Sequence, residues 1–255
     1  MRKVEVAIIG AGSAGMRAYR EASKVTDSIV LIEGDQYGTT CARVGCMPSK
    51  LLIAAAEAAH AGSQADAFGI HYGDRIIDGE AVMKRVREER DRFVGFVVED
   101  VEEWPEEHRI KGYAKFKSDH VLQINEDLEI EAERVVIATG SRPLVPGPWQ
   151  AFGDRIVTTD DFFELEELPA SMAVIGLGTI GLELGQSLAR LGVEVTGFDQ
   201  LETIGGLQDP EVQRQAIDIL GKDFPMHLGQ PADIQAEGDR LERGEDHLQQ
   251  RSDLI

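Results

Sequence analysis

Two cysteines, Cys41 and Cys46, stand five positions apart in a chain of 255 residues. A cysteine pair can ligate a metal, close a structural bridge or exchange electrons with other thiols. The six histidines fall in no ligand spacing, so no metal site is expected. A structural bridge over so short a loop would restrict the unfolded chain little. The N-terminal run MRKVEVAIIGAGSAG has the basic start and apolar stretch of a leader but no small-residue cleavage pattern. A redox pair in a reducing, cytoplasmic setting is therefore the expectation. Residues 51–61 are apolar and alanine-rich at helical length, which places the C-x4-C at the start of a helix. There the helix dipole favours a thiolate, the form that attacks disulfides.

Pairs of this kind need an electron carrier, and the flanking sequence offers sites for two. Residues 4–9, VEVAII, read as a buried strand. Gly10, Gly12 and Gly15 then form a G-x-G-x-x-G, an alanine-rich helix follows, and a second strand at residues 28–32 ends in Glu33. The same order recurs later: a strand at 172–175, glycines Gly176, Gly178 and Gly181, a helix with Ile180, Leu184, Leu188 and Leu191 on one side, and a strand at 193–198 ending in Asp199. In both copies 23 positions separate the first glycine from the acid. The first glycine permits a tight turn, the second a close approach to a pyrophosphate, and the third close packing of helix on strand. The acid accepts hydrogen bonds from a ribose. One such pattern alone is weak. Two complete ones in one chain predict two dinucleotide sites. Asp199, with no arginine soon after it, favours NAD over NADP at the second.

The segment Gly38-Thr39-Thr40-Cys41-Ala42-Arg43-Val44-Gly45-Cys46-Met47-Pro48-Ser49-Lys50 makes the likeness specific. It resembles the redox-active disulfide segment of the flavin disulfide reductases, the family of dihydrolipoyl dehydrogenase, glutathione reductase and mercuric reductase. It departs from them in having Gly-Thr-Thr before the first cysteine. Ser49 is the form seen in the dihydrolipoyl and mercuric enzymes. Residues 110–116, with Gly112, resemble the strand that meets the flavin's adenine. Ala138, Thr139, Gly140 and Ser141 resemble the A-T-G-S turn near FAD.

The resemblance implies an α/β fold with two Rossmann-like dinucleotide-binding domains, for FAD and NAD(P), the second incomplete and the C-terminal dimerisation domain absent. The expected division is residues 1–145, the FAD-binding domain with the cysteine pair, and 146–255, the NAD-binding domain. Cys41 would meet the dithiol substrate and Cys46 would face the flavin. Thr40 joins the flavin contacts. Lys50 would lie near flavin N5, paired with Glu183, which orients the nicotinamide. The bland alternative for Lys50 and Glu183 is two solvated helix charges.

The implied substrate is a small-molecule or lipoyl-protein dithiol, electrons passing to FAD and then NAD+, with a homodimer for the full-length family. The family's later His-Glu base is missing here, so a truncated form with little activity alone is expected. Two alternatives stay open: a mercuric or glutathione reductase type, and a silent FAD/NAD-binding remnant. Residues 230–251 are polar and show no helix or strand pattern. Residues 252–255 resemble the opening of a strand returning to the flavin domain.

A formal charge of −20, from 46 acidic against 26 basic residues, argues against nucleic acid and anionic membranes as partners. A salt-adapted surface is one reading of that excess. No apolar run approaches the ~18 residues of a membrane span.

Overall fold

The computed structural model describes residues 1–232, 234–237, 240–243 and 253–254. Residues close in space group into two units: Met1–Met47 with Arg90–Arg142, and Pro48–Glu89 with Pro143–Ile255. The change at residue 142 lies where a proline-rich stretch, with Pro143, Pro146 and Pro148, begins. Residues 48–89, however, group with the second half of the chain.

In chain order the elements are β1 (Arg2–Ile9), α1 (Ser13–Ala22), β2 (Ile29–Glu33), α2 (Thr40–Arg43), α3 (Cys46–Gln64), α4 (Gly79–Glu102), β3 (Arg109–Lys111), β4 (Ala114–Ser118), β5 (Val121–Ile124) and β6 (Leu128–Ile137). There follow α5 (Thr159–Phe162), β7 (Ser171–Ile175), α6 (Thr179–Arg190), β8 (Glu194–Phe198), α7 (Pro210–Leu220), β9 (Met226–His227), β10 (Ile234–Glu237), β11 (Arg240–Arg243) and β12 (Asp253–Leu254).

The first unit is built on a sheet of order β3-β2-β1-β6-β5-β4. β3, β2, β1 and β6 are parallel, and β5 and β4 continue as an antiparallel meander. Parallel strands are covered on both faces, which explains the continuous apolar runs read from sequence. β2 shows this directly. Val30 and Ile32 pack with Ala7, Leu122 and Ile130 on one face. Ile29 and Leu31 pack with Ile8, Met16 and Tyr19 on the other. Tyr19 stacks on Trp104 at 3.9 Å between ring centres, and its hydroxyl lies 2.8 Å from Nδ1 of His108.

The second unit is built on the parallel sheet β12-β7-β8-β9. α6 lays Leu184, Gly185, Ser187 and Leu188 inward. Gly185 packs closely there: a Cβ would stand 3.1 Å from the Phe224 ring, which would have to give way by a few tenths of an ångström.

Three expectations need correction. Residues 110–116 are not one strand. Gly112, at φ +156, ends β3, and the chain leaves β2 to pair β4 with β5. Gly112 N–H gives the last bond to Glu33 O at 2.9 Å, and Tyr113 N–H turns to Asn125 Oδ1 at 2.9 Å. Secondly, the polar stretch from residue 230 contains the hairpin β10–β11, with Ile234 opposite Arg243 and Glu237 opposite Arg240. Its four-residue alternation is too short to stand out by pattern, whereas backbone pairing needs no apolar side chains. Residues 244–251 lie outside the described residues. Thirdly, Asp253 and Leu254 pair in parallel with Met172 and Ala173, so they extend the second sheet and not the first. An uncovered β7 edge has backbone groups to satisfy, and a short strand beside it meets that need.

Among the described residues no helix is long and apolar enough to cross a membrane, and no three His, Cys, Asp or Glu side chains are placed to hold a metal ion.

Candidate dinucleotide and cysteine sites

The first glycine turn joins β1 to α1. Gly10 takes φ +103, and its N–H donates to Ile32 O at 2.8 Å. A Cβ on Gly10 would lie 2.2 Å from the carbonyl oxygen of Ala138, and one on Gly15 would lie 1.7 Å from Gly10 O. Neither position has room for any side chain. Gly12 is different. It is the N-cap of α1, no described side chain caps the helix there, and a Cβ would meet nothing within 4 Å among the described residues. An uncapped helix start with clear space before it is what a pyrophosphate requires.

Glu33 closes the turn from the neighbouring strand. Its Oε2 accepts from Ala11 N–H at 2.6 Å and its Oε1 from Asp35 N–H at 2.9 Å. The carboxylate is thus held rigid, with lone pairs remaining for a ribose hydroxyl. Ala138 N–H donates to Ile9 O at 2.8 Å, so the 138–141 segment leaves the sheet directly beside Gly10; Gly140 turns it at φ +70. Two neighbours were not anticipated. The Tyr113 ring lies where a Cβ on Gly34 would go, 2.5 Å away. Lys111 Nζ sits 3.5 Å above the Tyr37 ring, and partial burial lowers the Lys111 pKa against the pull of Glu33 and Asp35.

The second glycine turn repeats this geometry. Gly176 takes φ +96 and donates to Phe198 O at 2.8 Å. A Cβ on Gly181 would lie 2.0 Å from Gly176 O, while one on Gly178, the N-cap of α6, would meet nothing within 4 Å among the described residues. Asp199 accepts from Leu177 N–H at 2.7 Å and Leu201 N–H at 2.9 Å. An apolar cavity of about 220 Å³ opens beside the turn, walled by Pro143, Trp149, Ile156, Val174, Gly176 and Ile180. The donors and the clear space at both turns fit a dinucleotide.

The cysteines stand at the starts of two successive helices and not of one. Cys41 is half-buried on the one-turn α2, and Cys46 is exposed at the first position of α3. α2 is capped by the Thr39 hydroxyl, which accepts from Ala42 N–H at 3.0 Å, and Thr40 opens it. Gly38 takes φ +109 to bring the chain in, and the Arg43 guanidinium ties back to Tyr37 O, Nε at 2.9 Å. Gly45 lets the chain double back: a Cβ there would lie 3.1 Å from Cys41 Cα. That contact draws the residue before Cys46 against Cys41. Thr39 and Arg43 were missed from sequence, and Gly45 was read as part of the motif without its contact to Cys41. Only the glycine, between two cysteines, gave any signal there.

Lys50 lies one turn along α3 from Cys46. Its Nζ donates to both carboxylate oxygens of Glu183 on α6, at 2.8 and 2.7 Å. Ser49 Oγ approaches the same carboxylate at 3.5 Å.

A family model described as pyridine nucleotide-disulphide oxidoreductase matches residues 4–249. The chain belongs to that family. Dihydrolipoyl dehydrogenase 2 of Haloarcula marismortui is 32% identical over 247 residues, covering 92% of this chain and 51% of that protein. The dihydrolipoyl dehydrogenase of Haloferax volcanii is 35% identical, covering 89% and 49%. A mercuric reductase of Bacillus cereus is 32% identical, covering 80% and 32%. The chain thus spans about half the length of the curated dehydrogenases it matches. Among solved structures, the HOCl-induced flavoprotein disulfide reductase RclA from Escherichia coli aligns with a TM-score of 0.79 at 24% identity, covering 95% of this chain and 53% of that one; this likeness bears on fold alone. The family carries the α/β, Rossmann-like architecture and an oxidoreductase chemistry.

Proposed function

We propose that this chain carries the cofactor-binding and thiol-exchange machinery of an FAD-dependent disulfide oxidoreductase of dihydrolipoyl dehydrogenase type, moving electrons from a dithiol to NAD+. The observation that carries the reading is the folded-back C-x4-C segment, with Gly45 against Cys41 and Cys46 opening α3. The dehydrogenases among the relatives support the choice of dithiol.

Starting from the oxidised pair, a substrate thiolate attacks Cys41 Sγ. The Cys41–Cys46 bond breaks, and Cys46 leaves as a thiolate. The second substrate thiolate then attacks its own mixed-disulfide sulfur and expels Cys41. The dithiol has become a disulfide, and the cysteine pair has taken up its two electrons. Cys46 is given the leaving role because it opens α3, at the positive end of that helix's dipole. FAD, when bound, supplies a two-electron acceptor for the reduced pair, and NAD+ a hydride acceptor beyond it.

Gly10, Gly12, Gly15, Glu33 and the 138–141 segment, with Thr40 and Gly112, would hold FAD. Gly176, Gly178, Gly181 and Asp199 would hold NAD. The carboxylate of Asp199 repels a 2′-phosphate, which favours NAD over NADP. Lys50 and Glu183 keep a fixed charge pair on α3 and α6, and their role is to orient the ring systems. A homodimer is proposed for the full-length protein by family.

The test is spectroscopic. Protein mixed with FAD and reduced by one equivalent of dihydrolipoamide should develop long-wavelength charge-transfer absorbance. Cys46→Ser should abolish that band while keeping bound flavin, and Cys41→Ser should retain the band without dithiol turnover. A colourless protein with unreactive thiols sinks the proposal. The mercuric relative makes Hg2+ the second substrate to try: Hg2+-dependent NADH oxidation without dihydrolipoamide activity would move the reading to the mercuric type.

A further inference from the structure

Lys50–Glu183 is an ion pair joining α3 to α6. Seven residues further along α3 stands Glu57, and seven residues further along α6 stands Arg190; these two also pair, through Arg190 Nη1 and Glu57 Oε1. Seven residues are close to two helical turns, about 10 Å, so each helix presents its two charges on nearly one face. The order of charge is reversed between them: positive then negative on α3, negative then positive on α6. A slide of α6 by two turns would set Lys50 against Arg190, like charge against like. A slide of one turn would leave both pairs unmade.

The two pairs are not equally anchored. The Lys50 side chain is 57% exposed and that of Glu183 33%. The Glu57 side chain is 58% exposed, but that of Arg190 is only 16% exposed, and its Nε is 3.3 Å from Oδ2 of Asp223, whose side chain is 18% exposed. Gln186 Nε2, one turn earlier on α6, donates to the same Asp223 oxygen at 2.7 Å. Arg190 is therefore held from its own side and reaches α3 as a rigid fork. The Arg190–Asp223 pair, partly buried on both sides, resists solvent screening better than an exposed pair.

We propose that Arg190, anchored by Asp223 and reaching Glu57, is a positioning residue that sets the register of α6 on α3 and so delivers Glu183 to Lys50. The inference rests on the functional reading only for the use to which Lys50 and Glu183 are put; the positioning itself stands on the geometry.

A water-soluble carbodiimide tests it. The reagent takes up one water as a Lys amine and a Glu carboxylate in contact become an amide, and peptide mapping by mass spectrometry counts the bond. The Lys50–Glu183 link should form readily, alongside the Lys24–Glu21 pair at the C-terminal end of α1, whose 2.7 Å contact serves as internal control. Arg190→Met should lower the Lys50–Glu183 yield at least threefold relative to that control, and Arg190→Lys should restore most of it. Glu57→Gln should give a smaller drop than Asp223→Asn. An unchanged ratio in folded Arg190→Met protein overturns the proposal. Should that variant fail to fold, an unchanged ratio in the Glu57→Gln, Asp223→Asn double variant overturns it equally. The measurement uses neither flavin nor dithiol, so a colourless protein would defeat the functional reading and leave this result standing.

Discussion

The two glycine turns are the same device built twice, and they differ at one point. In both, the third glycine is shut against the carbonyl of the first, at 1.7 Å for Gly15 and 2.0 Å for Gly181. In both, an acid at the end of the next strand accepts from two backbone N–H groups, one from the turn and one two residues after the acid. The first glycines differ. Gly10 has Ala138 O at 2.2 Å from its would-be Cβ, because the chain leaving β6 crosses there; Gly176 meets nothing within 4 Å among the described residues. The third glycine and the acid clamp thus belong to the motif itself. The crowding at the first glycine comes from what the rest of the fold lays over it. Positive φ remains a demand on glycine at both.

The largest effect expected is at the shared feature. Gly15→Ala and Gly181→Ala each drive a methyl into a backbone carbonyl, and each should cost on the order of 3 kcal/mol or more in urea unfolding of its own unit. If either is tolerated, the two turns are not one device. Next comes the point of difference. Gly176→Ala carries only the conformational cost of a left-handed backbone, about 1–2 kcal/mol, whereas Gly10→Ala adds the clash with Ala138. Gly10→Ala should therefore be worse by at least about 1 kcal/mol; equal losses would erase the contrast.

Smaller again is the clamp. Glu33→Gln and Asp199→Asn each replace a charged acceptor of two N–H groups with an amide that has one acceptor oxygen. A loss of about 1 kcal/mol at each turn is expected, with roughly tenfold weaker binding of FAD in the first case and NAD in the second, read by calorimetry. The smallest effect concerns the whole surface. With a formal charge of −20, self-repulsion should be screened by added KCl, and the melting temperature should rise by a few degrees. A melting temperature indifferent to salt removes the reading of the acidity as salt adaptation.

Much of this was visible in one dimension because it is periodic or local. The glycine spacing, the acid 23 positions on and the apolar strands are dictated by a single βαβ unit, and each unit is contiguous. The Lys50–Glu183 contact spans 133 positions and came from family resemblance, not from spacing. Arg190 and Glu57 carried no such signal, since a charge on a helix reads as solvated until its partner is known. The doubling-back at Gly45 and the partner change at Gly112 were hidden for a related reason. A glycine announces conformational freedom and not the direction the chain will take with it.

By itself the sequence determined the chemistry on offer: a close cysteine pair, two glycine turns each opening a helix, and an acid 23 positions after the first glycine of each. Those follow from residue type and short-range spacing, which backbone geometry converts into structure with little help. Tertiary structure alone decided which groups meet across long separations: Ala138 over Gly10, Glu183 with Lys50, Arg190 with Glu57 and Asp223. Such contacts depend on how helices and strands stack, and stacking is set by the summed packing of many side chains and not by the local pattern around any one of them.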